Sequence, residues 1–156
     1  MDLRSQSLKA YPLTLSVGSL SGIHGLEGTD MTWNDILYFQ PQEFDSHGEP
    51  GTGEKHMNLD FVHLLDKIRE KVGFPLIINS GYRSPEHNVR IGGVKNSAHM
   101  RGLAADIKTD TWERTFEVIR AALELGIRRV GVAANGTYVH VDIDSTLPHP
   151  RMWFYP

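Results

Sequence analysis

Apolar positions first become periodic at residue 59. Leu59, Val62, Leu65, Ile68 and Val72 recur at three- and four-residue spacing, which predicts the buried stripe of an amphipathic helix. Gly73 then stands in the C′ position with Pro75 beyond it, the usual end of a helix. Leu76-Ile77-Ile78-Asn79 follows as a short buried strand leading into Ser80-Gly81-Tyr82-Arg83. Residues 84–102 carry glycines and no clear period, so they read as a long loop. Alternation returns over residues 103–108, where Leu103, Ala105 and Ile107 point one way and Ala104, Asp106 and Lys108 the other. A second helix is expected after a cap at Asp110 or Thr111, with Glu113 placed for a capping box. Trp112, Phe116, Ile119 and Leu123 would be its buried stripe and Gly126 its stop. Two runs, 129–134 and 137–144, flank Asn135-Gly136, a strong hairpin signal. On the second run Val139, Val141 and Ile143 face the core, leaving Tyr138, His140, Asp142 and Asp144 together on the opposite face. The tail, 147–156, holds three prolines and three aromatics and is expected to pack over the sheet edge or the rim of a site.

The first 56 residues are less regular. Gly18, Gly22, Gly25 and Gly28 punctuate a stretch of turns and short extended pieces, and residues 32–39 are too few to assign to helix or strand. Residues 48–55 resemble a phosphate-binding loop only superficially, because Glu54 stands where that motif requires Lys directly after its last Gly. They read as a flexible surface loop. His63 reads as a boundary residue on the first helix. The whole pattern predicts one α+β domain over residues 1–156, with the regular core in 57–156. Its small antiparallel sheet would carry helices on one side and leave a polar face open.

Composition narrows the chemistry. A chain of 156 residues, 40% hydrophobic and 22% charged, has room for one substantial core. A net charge of -3 gives no electrostatic reason to expect nucleic acid or an anionic membrane. No apolar run approaches the ~20 residues of a membrane span. The first seven residues lack the basic and apolar regions of a secretory signal, so synthesis in the cytoplasm is the expectation. Cysteine is absent, which excludes a thiolate metal site. Imidazoles and carboxylates remain, and His99, Asp106 and His140 form a two-nitrogen, one-oxygen set that suits a divalent ion with one position left open.

The segment Ser97-Ala98-His99-Met100-Arg101-Gly102-Leu103-Ala104-Ala105-Asp106, followed by Val139-His140-Val141-Asp142, resembles the zinc D-Ala-D-Ala carboxypeptidases of peptidase family M15. That family also includes murein endopeptidases and phage endolysins. Ser80-Gly81-Tyr82-Arg83-Ser84-Pro85, Asn88 and Gly92-Gly93 are similar to the segment preceding the metal motif there, and the similarity runs from about Phe39 to Pro156. The resemblance implies a Hedgehog/DD-peptidase-like fold, one zinc per chain on His99, Asp106 and His140, and a peptidoglycan peptide as substrate. It also implies action on the cell wall after release or export, and a phage-encoded lysis or wall-entry enzyme fits such a chain. Arg83 would be the donor to the developing oxyanion, with a loop-anchoring ion pair as its other reading. Ser97 and Tyr138 are candidate substrate contacts.

One departure stands out. Many relatives carry an acidic base three residues before the last zinc histidine, and here that position is Thr137. Others have a second histidine where this chain has Tyr138. Asp142 is the remaining acidic candidate, as general base or as a partner that orients a ligand imidazole. A zinc-binding module that keeps the fold without turnover is therefore the alternative to a peptidase.

Overall fold

The computed structural model describes residues 31–156, which form one compact unit. The glycine-punctuated stretch at residues 18–28 lies outside the described residues. Five strands, β1 (Ile77–Ser80), β2 (Ala104–Lys108), β3 (Arg129–Ala133), β4 (Tyr138–Asp142) and β5 (Arg151–Tyr155), make one sheet in the order β1-β2-β4-β3-β5. The helices are α1 (Thr52–His56), α2 (Leu59–Val72), α3 (Pro85–Arg90) and α4 (Trp112–Glu124), with 3₁₀ turns at Trp33–Asp35, Pro41–Phe44 and Ala98–Arg101. The α+β class is as the pattern predicts, and all pairings are antiparallel except one. The tail forms β5, which lies parallel to β3 at the sheet edge.

α2 follows its sequence closely. The Asn58 side chain accepts from Phe61 N at 2.9 Å, Gly73 N donates to Arg69 O at 3.0 Å, and Phe61, Val62, Leu65 and Ile68 are completely buried. Each such side chain contributes about 1.5–3 kcal/mol by leaving water. Its one buried acid, Asp66, accepts from the backbone of Leu37 (2.6 Å) and Tyr38 (3.1 Å) and pins the preceding segment to the helix. That segment is ordered around Phe39 and Phe44, whose rings meet edge-on at 5.6 Å. Residues 48–55 are accordingly not a flexible loop. Asp45 accepts from Gly51 N at 3.1 Å and Gly53 N at 2.7 Å, so α1 starts there and packs against the Pro41–Phe44 turn.

Three further expectations are corrected. On α4 the buried residues are Thr115, Val118, Ala121 and Ala122, while Trp112, Phe116 and Leu123 are exposed. Small side chains let the helix approach the sheet closely, and Thr115 Oγ1 donates to Thr109 Oγ1 (2.9 Å), fixing that rotation. β1 is an edge strand rather than a buried one, with Ile77 54% exposed. The loop at 84–102 contains α3, capped by Ser84 Oγ, which accepts from His87 N at 3.1 Å, with Pro85 in the first turn.

Beyond β4, Asp144 holds the two ligand-bearing segments together. Its fully buried carboxylate accepts from Thr146 N (2.9 Å), from Thr146 Oγ1 (2.6 Å) and from Arg101 Nε (2.6 Å), Arg101 closing the turn that carries His99. Burial would raise the Asp144 pKa, but Thr146 and Arg101 outweigh it and hold the group below the ordinary carboxylate value. A depressed carboxyl adds stability above its unfolded pKa and loses it as pH falls through the folded one. Asp144→Asn should therefore cost about 1–3 kcal/mol near neutrality. The gap between variant and wild type should begin to close below about pH 4, as read by urea melts across pH. A gap that does not change down to low pH would refute the ion-pair account.

Candidate metal centre

The register brings the site into one row across the sheet. Ser80 pairs with Asp106, Asp106 with His140, His140 with Gly131, and Gly131 with Trp153. Successive strands keep the same face at paired positions, so these five residues share one side, opposite the helix-packed core of Ala105, Ile107, Val130, Val132, Val139 and Val141. An irregularity between Ile78 and Ser80 shifts β1 and sets Ser80 opposite Asp106, as bulges beside sites do. His99 arrives from the Ala98–Arg101 turn, which ends in Gly102 at φ 67°. A Cβ there would sit 1.9 Å from the His56 carbonyl oxygen, so only glycine fits.

Three atoms converge. His99 Nε2 lies 3.2 Å from His140 Nδ1 and 3.3 Å from Asp106 Oδ1, and His140 Nδ1 lies 2.9 Å from Asp106 Oδ1. Ligand atoms about 2.0–2.1 Å from a tetrahedral zinc stand about 3.3 Å from one another, so the spacing matches the edges of such a site. The outer nitrogens agree with this. His99 Nδ1 faces the Gly81 carbonyl at 2.7 Å, and His140 Nε2 faces Asp142 Oδ2 at 3.0 Å. Each imidazole thus donates its outer N–H to an oxygen and presents a lone pair to the common point. All three residues are at least nine-tenths buried. Burial pushes His99 down against the pull of Asp106. Burial would also lower His140, but Asp106 and Asp142 on its two nitrogens outweigh this and push it up. Asp106 is held well below the usual carboxylate range, because His99 and His140 overcome the opposing effect of its burial.

Asp142 lies behind His140. Arg129 Nε donates to both of its oxygens, at 2.8 and 3.0 Å, and the Asp144 backbone N–H adds a third donor at 3.1 Å. Arg129 also donates to the Pro148 carbonyl. Arg83 donates through Nη2 to Asp106 Oδ2 and through Nε to Ser80 Oγ at 2.8 Å. Its Nη1 makes no hydrogen bond to a described residue. Thr137, in the base position of many relatives, is in the β3–β4 connection, where Asn135 Oδ1 accepts from its hydroxyl at 2.7 Å.

A cleft of about 560 Å³ opens over this row, lined by Ser97, His99, His140, Arg151, Trp153 and Tyr155 among others. A second recess, of about 400 Å³, adjoins Asp106 on the Arg83 side and takes in Tyr138. The structure thus brings Arg83, Ser97, His99 and His140 to the main cleft, puts Asp106 and Tyr138 in the neighbouring recess that Arg83 also borders, and leaves Asp142 buried at the cleft's base. The sequence reading set the aromatic tail over the sheet edge or the rim of a site, but it did not identify β5 or its wall residues, Trp153 and Tyr155, which stand 5.3 and 6.2 Å from the His140 ring. Gly131 makes this wall possible, because a Cβ there would lie 2.6–2.7 Å from both aromatic rings. The alternation Arg151-x-Trp153-x-Tyr155 was the available signal. Arg129, hidden within an apolar run, gave none.

No curated protein matches the chain. Among solved structures, the L-Ala D-Glu endopeptidase ChiX of Serratia marcescens is 22% identical, over 58% of this chain and 82% of that one, with a TM-score of 0.42. Residues 37–142, which include every member of the His-Asp-His cluster, match the family described as Peptidase M15, and the chain belongs to that family.

Proposed function

We propose that this protein is a zinc-dependent peptidase acting on the peptide part of bacterial cell wall, as a D,D-carboxypeptidase or an endopeptidase. The observation that carries the reading is the convergence of His99 Nε2, Asp106 Oδ1 and His140 Nδ1 at 2.9–3.3 Å, with both outer imidazole nitrogens already engaged. Two imidazoles and a carboxylate without thiolate favour zinc. When bound, the ion would polarise a scissile carbonyl and activate water, retaining one net positive charge beside a single carboxylate.

The chain's own residues do the rest. Arg83 has two tasks: Nη2 orients Asp106, and Nη1, which makes no hydrogen bond to a described residue, can donate to the substrate oxygen on which charge develops. Asp142 acts as a positioning residue. It holds His140 through Nε2, and its pairing with Arg129 on both oxygens commits it there. That arrangement fits the orienting role better than the base. Among the described residues no other carboxylate lines the main cleft, and this favours the second reading, a metal-binding module without turnover. No described helix is long and apolar enough to cross a membrane. Incubating purified muropeptides with the zinc-loaded protein decides between the readings by mass spectrometry. Loss of one terminal residue marks a carboxypeptidase and an internal cut an endopeptidase, while unchanged muropeptides would leave the module.

Two predictions follow from the ligand geometry. His99→Ala, Asp106→Ala and His140→Ala should each abolish binding of one zinc per chain, and full zinc in any one of them by elemental analysis would sink the assignment. Asp142→Asn keeps an acceptor for the His140 N–H but loses the ion pair with Arg129. It should weaken zinc by about 10–100-fold, and excess zinc should restore activity. Unchanged zinc affinity with hydrolysis lost would instead identify Asp142 as the base.

A further inference from the structure

The recess on the Arg83 side is lined by His47, Asn79, Arg83, His87 and Tyr138, with Asp106 at its inner end. Its polar groups are arranged as donors. His87 Nδ1 faces the backbone N–H of His47 at 3.3 Å and Ser46 Oγ at 3.1 Å. An N–H pointed at Nδ1 makes that nitrogen the acceptor, so the ring hydrogen belongs on Nε2. Nε2 makes no hydrogen bond to a described residue. Burial, with Arg90, Arg83 and His47 nearby, lowers the His87 pKa against the weaker pull of Glu49, so the ring stays neutral with this tautomer. Glu49 itself is occupied, accepting from Ser84 Oγ at 2.6 Å and Ser46 Oγ at 3.2 Å. Beside His87, Arg83 Nη1 makes no hydrogen bond to a described residue, and the Tyr138 phenol lines the same recess. Among the described residues lining the recess the one carboxylate, Asp106, is already paired with Arg83.

A recess with an imidazole N–H fixed by the backbone and a phenol, whose described acid is already paired with Arg83, offers hydrogen-bond donors to an anionic acceptor. A carboxylate can accept from the His87 N–H and the Tyr138 phenol together, which leaves Arg83 Nη1 for the oxyanion. We propose that this recess is a subsite in which His87 Nε2–H, beside Arg83, receives a substrate carboxylate next to the scissile bond. The inference rests on the peptidase reading for the identity of the ligand as a wall peptide. Such peptides offer a carboxylate from two sources, the chain terminus and the α-carboxyl of a γ-linked D-glutamate.

The test compares three forms of a stem pentapeptide on the zinc-loaded full chain. One is the free acid, one the C-terminal amide, and one carries isoglutamine in place of the interior acid. Wild type should prefer the free acid over one of the amides by about tenfold or more in KM, and the amide that loses identifies the source. His87→Asn keeps an acceptor for the His47 N–H and removes the Nε2 donor. It should bring that preference within about threefold without changing kcat on the disfavoured amide, zinc content or melting temperature. His87→Gln, which restores a donor near the tip, should recover part of the preference. Wild type without discrimination, or His87→Asn with discrimination intact, overturns the subsite. If no form is cleaved, the peptidase reading fails on its own. Calorimetric affinity for the same three peptides then decides the subsite by the same ratios, and equal affinities in wild type overturn it.

Discussion

Everything on the open face depends on a buried charge, the Asp106 carboxylate. An isolated carboxylate in such a place would be protonated or would unfold the sheet. Here one oxygen faces two imidazoles and the other is held by Arg83. The fold surrounds this one group from three directions: β4 supplies His140, the Ala98–Arg101 turn supplies His99, and the segment after β1 supplies Arg83. Each supplier is itself anchored, by Asp142, by the Gly81 carbonyl and by Ser80 Oγ respectively. The centre is therefore pre-organised by contacts one step away from it, which is what a site needs if binding a cation is not to demand rearrangement.

Two of the three candidate ligands were legible because they lie on strands, while His99, on a 3₁₀ turn, was legible only through the motif that contains it. Period-two alternation separates Asp106 from Ala105 and Ile107, and His140 from Val139 and Val141, and the structure puts the polar members of both strands on one face. α4 was less readable because its apolar residues form two overlapping stripes. Counting large side chains selects Trp112, Phe116 and Leu123, whereas packing against a flat sheet selects Val118, Ala121 and Ala122. Volume at the contact decides such cases, and periodicity carries no information about it. α3 was announced by Ser84 and Pro85, but the glycines that follow masked it. β5 stayed hidden because a parallel partner lies outside the local pattern, and the prolines before it read as an irregular tail. The sequence left Asp142 two roles, general base or partner of a ligand imidazole, and could not choose between them. The choice turns on Arg129 standing opposite it in the register, a pairing that only the assembled sheet reveals.

The two recesses give the ligand row different surroundings on its two sides. Toward β5 the walls are aromatic, with Trp153 and Tyr155 against His140 and Arg129 stacked over Trp153 at 5.2 Å. Toward α3 they are donors, with the neutral His87 set by backbone rather than by another acid. If the proposed peptide substrate crosses the row, it would meet apolar contact on one side and polar contact on the other, an asymmetry that would distinguish its two directions.

The chain leaves β4, steps over the start of β3 and descends as β5, and Arg129 lies beneath that step, joined to Asp142 on one side and to the Pro148 carbonyl on the other. A single guanidinium thus belongs both to the scaffold of the ligand His140 and to the closure of the last strand. Disorder in either would loosen an anchor of the other, which couples the support of His140 to the closure of the last strand. Sorting residues by their distance from the ligands would class Arg129 as peripheral, yet its loss would act like the loss of a ligand and of a strand at once.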